Sequence, residues 1–329
     1  MSKKIVIFDT GIGSGNVGDD IIMEACLEHL YAAIPNSGTV LRAGTHVVNF
    51  NLPQMLLNGP KVKWYNDADL KFILGTNLLS NNMKSGLRMQ QWQLFSSNKK
   101  LYRGAILMGV GATNMKESRF SAHSARLYKS ILSDRYIHSV RDTNSRDLLE
   151  TIGIRSLVTG CPTLWKMDEA FCEGVPEDKA EMVITAVSGQ KKYHSPKKDA
   201  AMLKILKENY RKCFVWLQTG DDEAYFDSLP GHEGIEKIYT LYRYDKMLNE
   251  RKYDYVGTRL HGGVYALRHQ ARTIVVSIDG RAEGFHEMHE LPVIPRAEVP
   301  KELEKRINAS FKTRIRNDEK AIQSFLGQF

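Results

Sequence analysis

The sequence predicts an α/β protein built from two Rossmann-like, doubly wound domains that face a cleft. Three observations lead there. Short apolar runs of β character alternate with helical patterns along most of the 329 residues. The alternation pauses at a polar, acidic stretch (166–179, with Gly174 and Pro176) and then restarts. Several strand candidates run out into glycine-containing turns, as the floor of a ligand cleft in an open parallel sheet requires.

The first unit is strand, glycine loop, helix. Ile5 to Phe8 are apolar, Gly11 to Gly18 form the loop, and Asp19 to Ile34 place Ile22, Cys26 and Leu30 on one helical face. The loop holds a literal GxGxxG, Gly13 to Gly18, but Asp19 and Asp20 at the helix start would repel a pyrophosphate. The next strand, Thr39 to Arg42, ends with no ribose-binding acid, so a nicotinamide cofactor is not expected. Further strands are predicted at Lys71–Leu74, Ala105–Met108, Tyr136–Val140 and Ser156–Val158, with helices at Ser121–Leu132 and Thr143–Ile152. Gly75-Thr76-Asn77, Gly109-Val110-Gly111 and Gly160-Cys161-Pro162 follow three of these strands. After the linker come strands at Met182–Val187, Cys213–Leu217, Ile235–Thr240 and Thr273–Ile278. Helices are predicted at Lys197–Tyr210, from Asp221, and at Tyr244–Arg251. The expected domains are 1–170 and 171–329. The final segment, Glu302 to Phe329, reads as helical and basic, packing back on the first domain.

The central element is Tyr253 to Ala266, a strand that turns into a helix. It presents Arg259 and His261 at a strand's carboxyl end, where such sheets place ligands. Gly262 and Gly263 permit close backbone approach, and the helix start offers amide donors to an anion. A guanidinium, an imidazole and a helix N-terminus suit an anionic substrate that undergoes proton transfer. The alternative is an Arg259–carboxylate pair with His261 as a packing residue.

Composition narrows the classes. Hydrophobic residues at 42% and charged residues at 26% describe a globular domain protein. No apolar run approaches the ~20 residues that span a bilayer. Met1-Ser2-Lys3-Lys4 leads directly into a strand rather than a signal peptide. Cys26, Cys161, Cys172 and Cys213 have no CxxC spacing and read as reduced cytoplasmic thiols. The net charge of +8 is spread along the chain and favours anionic partners, though no basic–aromatic interleaving suggests nucleic acid. The basic loop Gly189 to Lys198 reads as solvated. His286 and His289 are three apart, not four, so no metal is expected there.

Taken together, the chain resembles the polysaccharide pyruvyl transferase family over nearly its whole length. Gly15-Asn16-Val17-Gly18-Asp19 matches the family's G-N-x-G-D turn. Val140-Arg141-Asp142 with Ser145 matches its R-D-x-x-S unit, and Gly160-Cys161-Pro162 its G-D-P or G-C-P turn. Thr258-Arg259-Leu260-His261-Gly262 matches R-L-H-G, the most specific of the four. Two positions depart: Gly75-Thr76-Asn77 replaces a glycine triplet, and Cys161 stands where many relatives carry aspartate.

The resemblance implies a GT-B-like pair of domains that move the pyruvyl group of phosphoenolpyruvate onto sugar hydroxyls as a ketal. It implies His261 as acid/base and Arg259 on a donor anion. The remaining substrate-binding candidates are Arg141, Leu260, Gly262, Gly263, Asn16, Asp19 and Gly111. No metal or cofactor is expected. The acceptor would be a glycan or lipid-linked oligosaccharide of a surface-polysaccharide precursor, with peripheral contact at the cytoplasmic membrane face. The alternatives are a GT-B glycosyltransferase using a nucleotide sugar and an inactive glycan-binding relative.

Overall fold

The structure, a computed structural model, describes residues 3–35, 37–83, 91–113 and 118–329. The chain divides into two units. Unit 1 is Met1–Ser14, Asp19–Trp165 and Asp318–Phe329; unit 2 is Gly15–Gly18 and Lys166–Asn317.

Unit 1 starts with β1 (Lys3–Asp9), whose residues from Ile5 to Asp9 are all buried, as a parallel strand covered on both faces demands. The chain continues through α1 (Val17–Ala33), β2 (Ser37–Gly44), α2 (Leu52–Leu57), α3 (Pro60–Asn66), β3 (Leu70–Leu74), β4 (Asn77–Leu79), α4 (Lys99–Tyr102), β5 (Ala105–Met108), β6 (Gly111–Ala112), α5 (Ala122–Ile131), β7 (His138–Val140), α6 (Thr143–Glu150) and β8 (Ser156–Val158). The main sheet is parallel, in the order β2-β1-β3-β5, with parallel two-stranded pairs β4-β6 and β7-β8. The spacing of apolar residues found β1, β3, β5 and β8 closely. It missed α2 and α3, which bury Val62 alone between them and so carry no apolar stripe. Tyr136 and Ile137, expected in a strand, precede β7.

Unit 2 runs through α7 (Glu169–Glu173), β9 (Met182–Thr185), α8 (Pro196–Asn209), β10 (Lys212–Trp216), α9 (Gly220–Asp227), β11 (Glu236–Ile238), α10 (Leu241–Leu248), β12 (Tyr253–Gly257), α11 (Leu260–Arg268), β13 (Thr273–Ser277), α12 (Gly280–His289), β14 (Val293–Pro295) and α13 (Val299–Asn308). Its six strands are all parallel, in the order β11-β10-β9-β12-β13-β14. Counting from β9, that is the Rossmann order 3-2-1-4-5-6. The order reverses between β9 and β12, which pair directly (Tyr255 opposite Ile184), and this is the switch point where such sheets bind ligands.

Two expectations are corrected. The stretch 166–179 is part of unit 2, with α7 inside it and Cys172 and Val175 buried. The segment from Glu302 onward is divided: α13 is in unit 2 and only α14 (Glu319–Leu326) lies in unit 1. Leu303 and Ile307 of α13 enter the unit 2 core. The buried Arg272 guanidinium donates to the carbonyls of Arg306, Ile307 and Ala309, satisfying the acceptors that end α13. Ile322 and Phe325 of α14 are buried in the unit 1 core.

Candidate active site

Unit 2 gathers its polar residues beyond the carboxyl ends of β9, β10, β12 and β13. A cavity of about 40 Å3 there is lined by Asn16, Ser188, Gln218, Arg259, His261 and Arg281, among others. One water occupies ~10–15 Å3 on this scale, so the cavity has room for a small polar group.

Arg259 is the N-cap residue of α11. Its guanidinium is held from behind: Nε donates to Asp222 at 3.1 Å, Nη2 to Thr219 Oγ1 at 2.8 Å, and Nη2 forms an ion pair with Asp222. Asp222 is fully buried and also accepts from the amides of Gly189 (2.7 Å), Gln218 (2.9 Å) and Thr219 (3.0 Å). The carboxylate of the pair is therefore fully hydrogen-bonded, which helps a buried ion pair to be tolerated. The carboxylate alternative for Arg259 is the one the fold contains. It leaves Nη1 outside the pair and fixes the direction in which that group projects.

His261 is the second residue of α11, nearly buried, with its ring edge-on to Phe285 at 6.1 Å. The intrahelical bonds of α11 begin with the Gly263 amide, which donates to the Arg259 carbonyl, so the amides before it are the helix's unladdered donors. Leu260 lines the same cavity. Gly262 and Gly263 have a packing role. A Cβ on Gly262 would sit 2.8 Å from the Trp216 ring, and one on Gly263 would sit 2.8 Å from Tyr255 and Val275. The glycines let α11 lie close on its sheet.

Asn16 joins this site although it is far away in sequence and was expected on the first domain. Gly15–Gly18 belongs to unit 2, where Gln218 Nε2 donates to Asn16 Oδ1 at 2.6 Å and the Val17 amide donates to the Gln218 carbonyl. A Cβ on Gly18 would meet Gln218 Nε2 at 2.6 Å, which accounts for that glycine. On the far side, Asp279 caps α12 and pairs with Arg281. Against the cost of burial, the Arg281 guanidinium and amide and the Tyr193 hydroxyl hold the Asp279 carboxyl below its usual range. Ser188, in the loop after β9, is buried with a hydroxyl that has no protein partner, and so is Gln218 Oε1.

The other candidates are in unit 1. Arg141 is buried, its Nη2 3.5 Å from Asp142. A Cβ on Gly111 would lie 2.7 Å from both Arg141 Nη2 and Asn77 Oδ1, so that glycine gives the guanidinium its place. Asp19 accepts from Ser14 Oγ (2.5 Å) and Thr76 Oγ1 (3.1 Å). Beside it, burial and the charges of Asp9 and Asp19 raise the Asp20 carboxyl. Thr76 adopts φ 46°. His286 and His289 each bond a backbone carbonyl, those of Leu291 and Arg316.

Sequence reasoning missed Ser188, Thr219, Asp222, Asp279 and Arg281. Thr219-Gly-Asp-Asp222 after β10 is a capping-box pattern, and Asp279 after β13 is an N-cap residue; both were signals in reach.

Comparison with known proteins agrees with this architecture. The UDP-GlcNAc 2-epimerase from Methanocaldococcus jannaschii superposes with a TM-score of 0.55 at 11% identity, covering 98% of this chain and 97% of that one. The putative UDP-N-acetylglucosamine 2-epimerase from Listeria monocytogenes gives 0.51 at 12% identity (100% and 98% covered). S. aureus MnaA in complex with UDP gives 0.50 at 11% (100% and 98%). At such identities the likeness is one of fold: two Rossmann-like domains of GT-B type. No curated protein matches the chain. No helix among the described residues is long and apolar enough to cross a membrane. The family model of polysaccharide pyruvyl transferases matches residues 16–280, from Asn16 through the R-L-H-G turn to the start of α12. By that match over most of its length, the chain belongs to the polysaccharide pyruvyl transferase family.

Proposed function

We propose that the protein transfers the pyruvyl group of phosphoenolpyruvate to two hydroxyls of a sugar in a cytoplasmic surface-polysaccharide precursor. The donor is assigned to unit 2 and the acceptor, a glycan or lipid-linked oligosaccharide, to unit 1. The observation that carries the reading is the grouping, at one sheet switch point, of Arg259, His261, a helix start and the unpartnered Ser188 hydroxyl. Anchored cations and amide donors suit one carboxylate or phosphate of the donor.

In the chemistry, His261 delivers a proton to the enol methylene while a sugar hydroxyl adds to C2, and the hydroxyl's proton returns to His261. The bond between C2 and the bridging phosphate oxygen then breaks, and the second hydroxyl closes the ketal, its proton leaving with the inorganic phosphate. Arg259 and Ser188 hold the donor, with Leu260 beside them. Arg141 is assigned to a further anionic substrate group, and Asn16, Asp19 and Gly111 to positioning. The scheme calls for no metal and no cofactor.

Calorimetric titration with phosphoenolpyruvate tests the donor. Wild type binds; Arg259→Ala loses binding; Ser188→Ala weakens it without loss of thermal stability, since its hydroxyl bonds nothing in the protein. His261→Ala retains binding and loses ~10²–10⁴-fold in rate once an acceptor is found. Heat from a nucleotide sugar and none from phosphoenolpyruvate would overturn the donor assignment in favour of a glycosyltransferase.

A further inference from the structure

Among the described residues, nine large hydrophobic side chains are exposed, and five of them fall between Val48 and Trp64 of unit 1. Val48 is 57% exposed, Leu52 56%, Leu56 76%, Leu57 82% and Trp64 47%. α2 buries no residue at all. Single exposed apolar residues are ordinary, but a local concentration of leucines with a tryptophan marks a surface that something covers.

Lysines lie in and against α3, and Asp67 and Asp69 follow directly after it. From Val48 to Asn66 the sequence holds Lys61 and Lys63 and no Asp or Glu. Lys61 and Trp64, three apart on α3, share a helical face. The Lys4 ammonium stands 4.9 Å from the centre of the Trp64 ring. α3 packs against α4, and α4 against α5. Next to α3, then, Lys99, Lys100, Arg103 and Lys129 line an open basin of about 690 Å3 whose one acidic residue is Asp134. α3 leads into β3 and α4 into β5, so the end of α3 and the basin lie toward the amino ends of those strands.

We propose that α2, α3 and the adjoining basic basin form a docking surface for a bilayer rich in anionic phospholipid. Leu52, Leu56, Leu57 and Trp64 enter the headgroup–acyl boundary, and the lysines and Arg103 meet the phosphates. Charge complementarity selects this occupant: exposed leucines in a segment that continues into Lys61, Lys63 and the neighbouring basic basin suit an anionic interface, whereas a second copy of the chain would bring the same cations against themselves. The inference does not depend on the identity of the donor.

Trp64 is the reporter, because the other three tryptophans, Trp92, Trp165 and Trp216, are buried. The full chain is mixed with phosphatidylcholine vesicles that contain phosphatidylglycerol, and separately with phosphatidylcholine alone. Sedimentation with the anionic vesicles only, a blue shift of tryptophan emission and weakening by salt are expected. Leu56→Ser/Leu57→Ser lowers affinity by about tenfold or more, and Lys99→Gln/Lys100→Gln/Arg103→Gln reduces the salt-sensitive part. These side chains are exposed, so circular dichroism and thermal unfolding stay as in wild type. Failure to bind anionic vesicles, or binding indifferent to Leu56→Ser/Leu57→Ser, overturns the proposal. So does a dimer that this double variant dissociates in the absence of vesicle binding.

Discussion

At the scale of single residues, the Arg259–Asp222 pair determines what the R-L-H-G turn can do. A guanidinium in solution would sample many directions; here Asp222 and Thr219 hold Nε and Nη2, so any ligand contact falls to Nη1. Asp222 is a positioning residue in this scheme. Asp222→Ala leaves a buried, uncompensated cation, and a stability loss of about 3–5 kcal/mol is expected in urea unfolding. Asp222→Asn, which keeps the shape and part of the hydrogen bonding, should lose less while still weakening phosphoenolpyruvate binding. A loss under about 1 kcal/mol for the alanine variant would show that water replaces the carboxylate and that the pair is not a structural anchor. Sequence spacing offered two options for Arg259, anion binder or ion-pair partner. The fold shows that the second is present and that it leaves geometry for the first.

At the scale of elements, α11 works because it lies close to β12 and β13. Trp216 stacks on Tyr244 at 4.4 Å under Gly262, and the Tyr244 hydroxyl donates to the Gly262 carbonyl at 2.9 Å. Gly262→Ala places a methyl against the Trp216 ring, and overpacking of this kind costs roughly 1–3 kcal/mol. The lower melting temperature should come with weaker donor binding, because Arg259 and His261 move with the helix. Unchanged binding would mean that the ring yields and the helix stays. The glycines illustrate how partial the sequence signal is. Their positions were legible, but a glycine that admits a ligand and one that admits a tryptophan look identical in a string of letters. The same holds for α2 and α3: periodicity finds helices by their buried stripe, and these two have almost none.

At the scale of the whole molecule, each unit has its own core, and buried ionisable groups link stability to pH. His138 in unit 1 is fully buried, its Nδ1 accepting from the Leu107 amide (3.0 Å) and its Nε2 facing the Ser133 carbonyl (2.9 Å). Burial lowers its pKa to about 4, against the bond to Ser133. The unfolded chain takes up the proton near the ordinary value of ~6.5 and the folded one only near 4. This contribution is therefore complete above pH ~6.5 and is lost as pH falls toward 4, to the extent of about 3 kcal/mol. Denaturant unfolding between pH 7 and 4 checks it: the slope over that range should flatten in His138→Gln. An equal slope in the variant would assign the acid sensitivity to carboxylates such as Asp279, whose depressed pKa also removes stability on acidification.

By itself the sequence determined the α/β class, the two doubly wound halves and the placement of Arg259 and His261 where a strand becomes a helix. Those features rest on local periodicity and turn chemistry, which a short window contains. The tertiary structure alone decided that Asn16 meets Gln218 across 202 residues, that Asp222 reaches Arg259 across 37, and that Ser188 is left with an unpaired hydroxyl beside them. It also divided the last segment between the two units. Such pairings depend on strand order, and strand order is set by packing parallel strands that are distant in sequence, which no local pattern encodes.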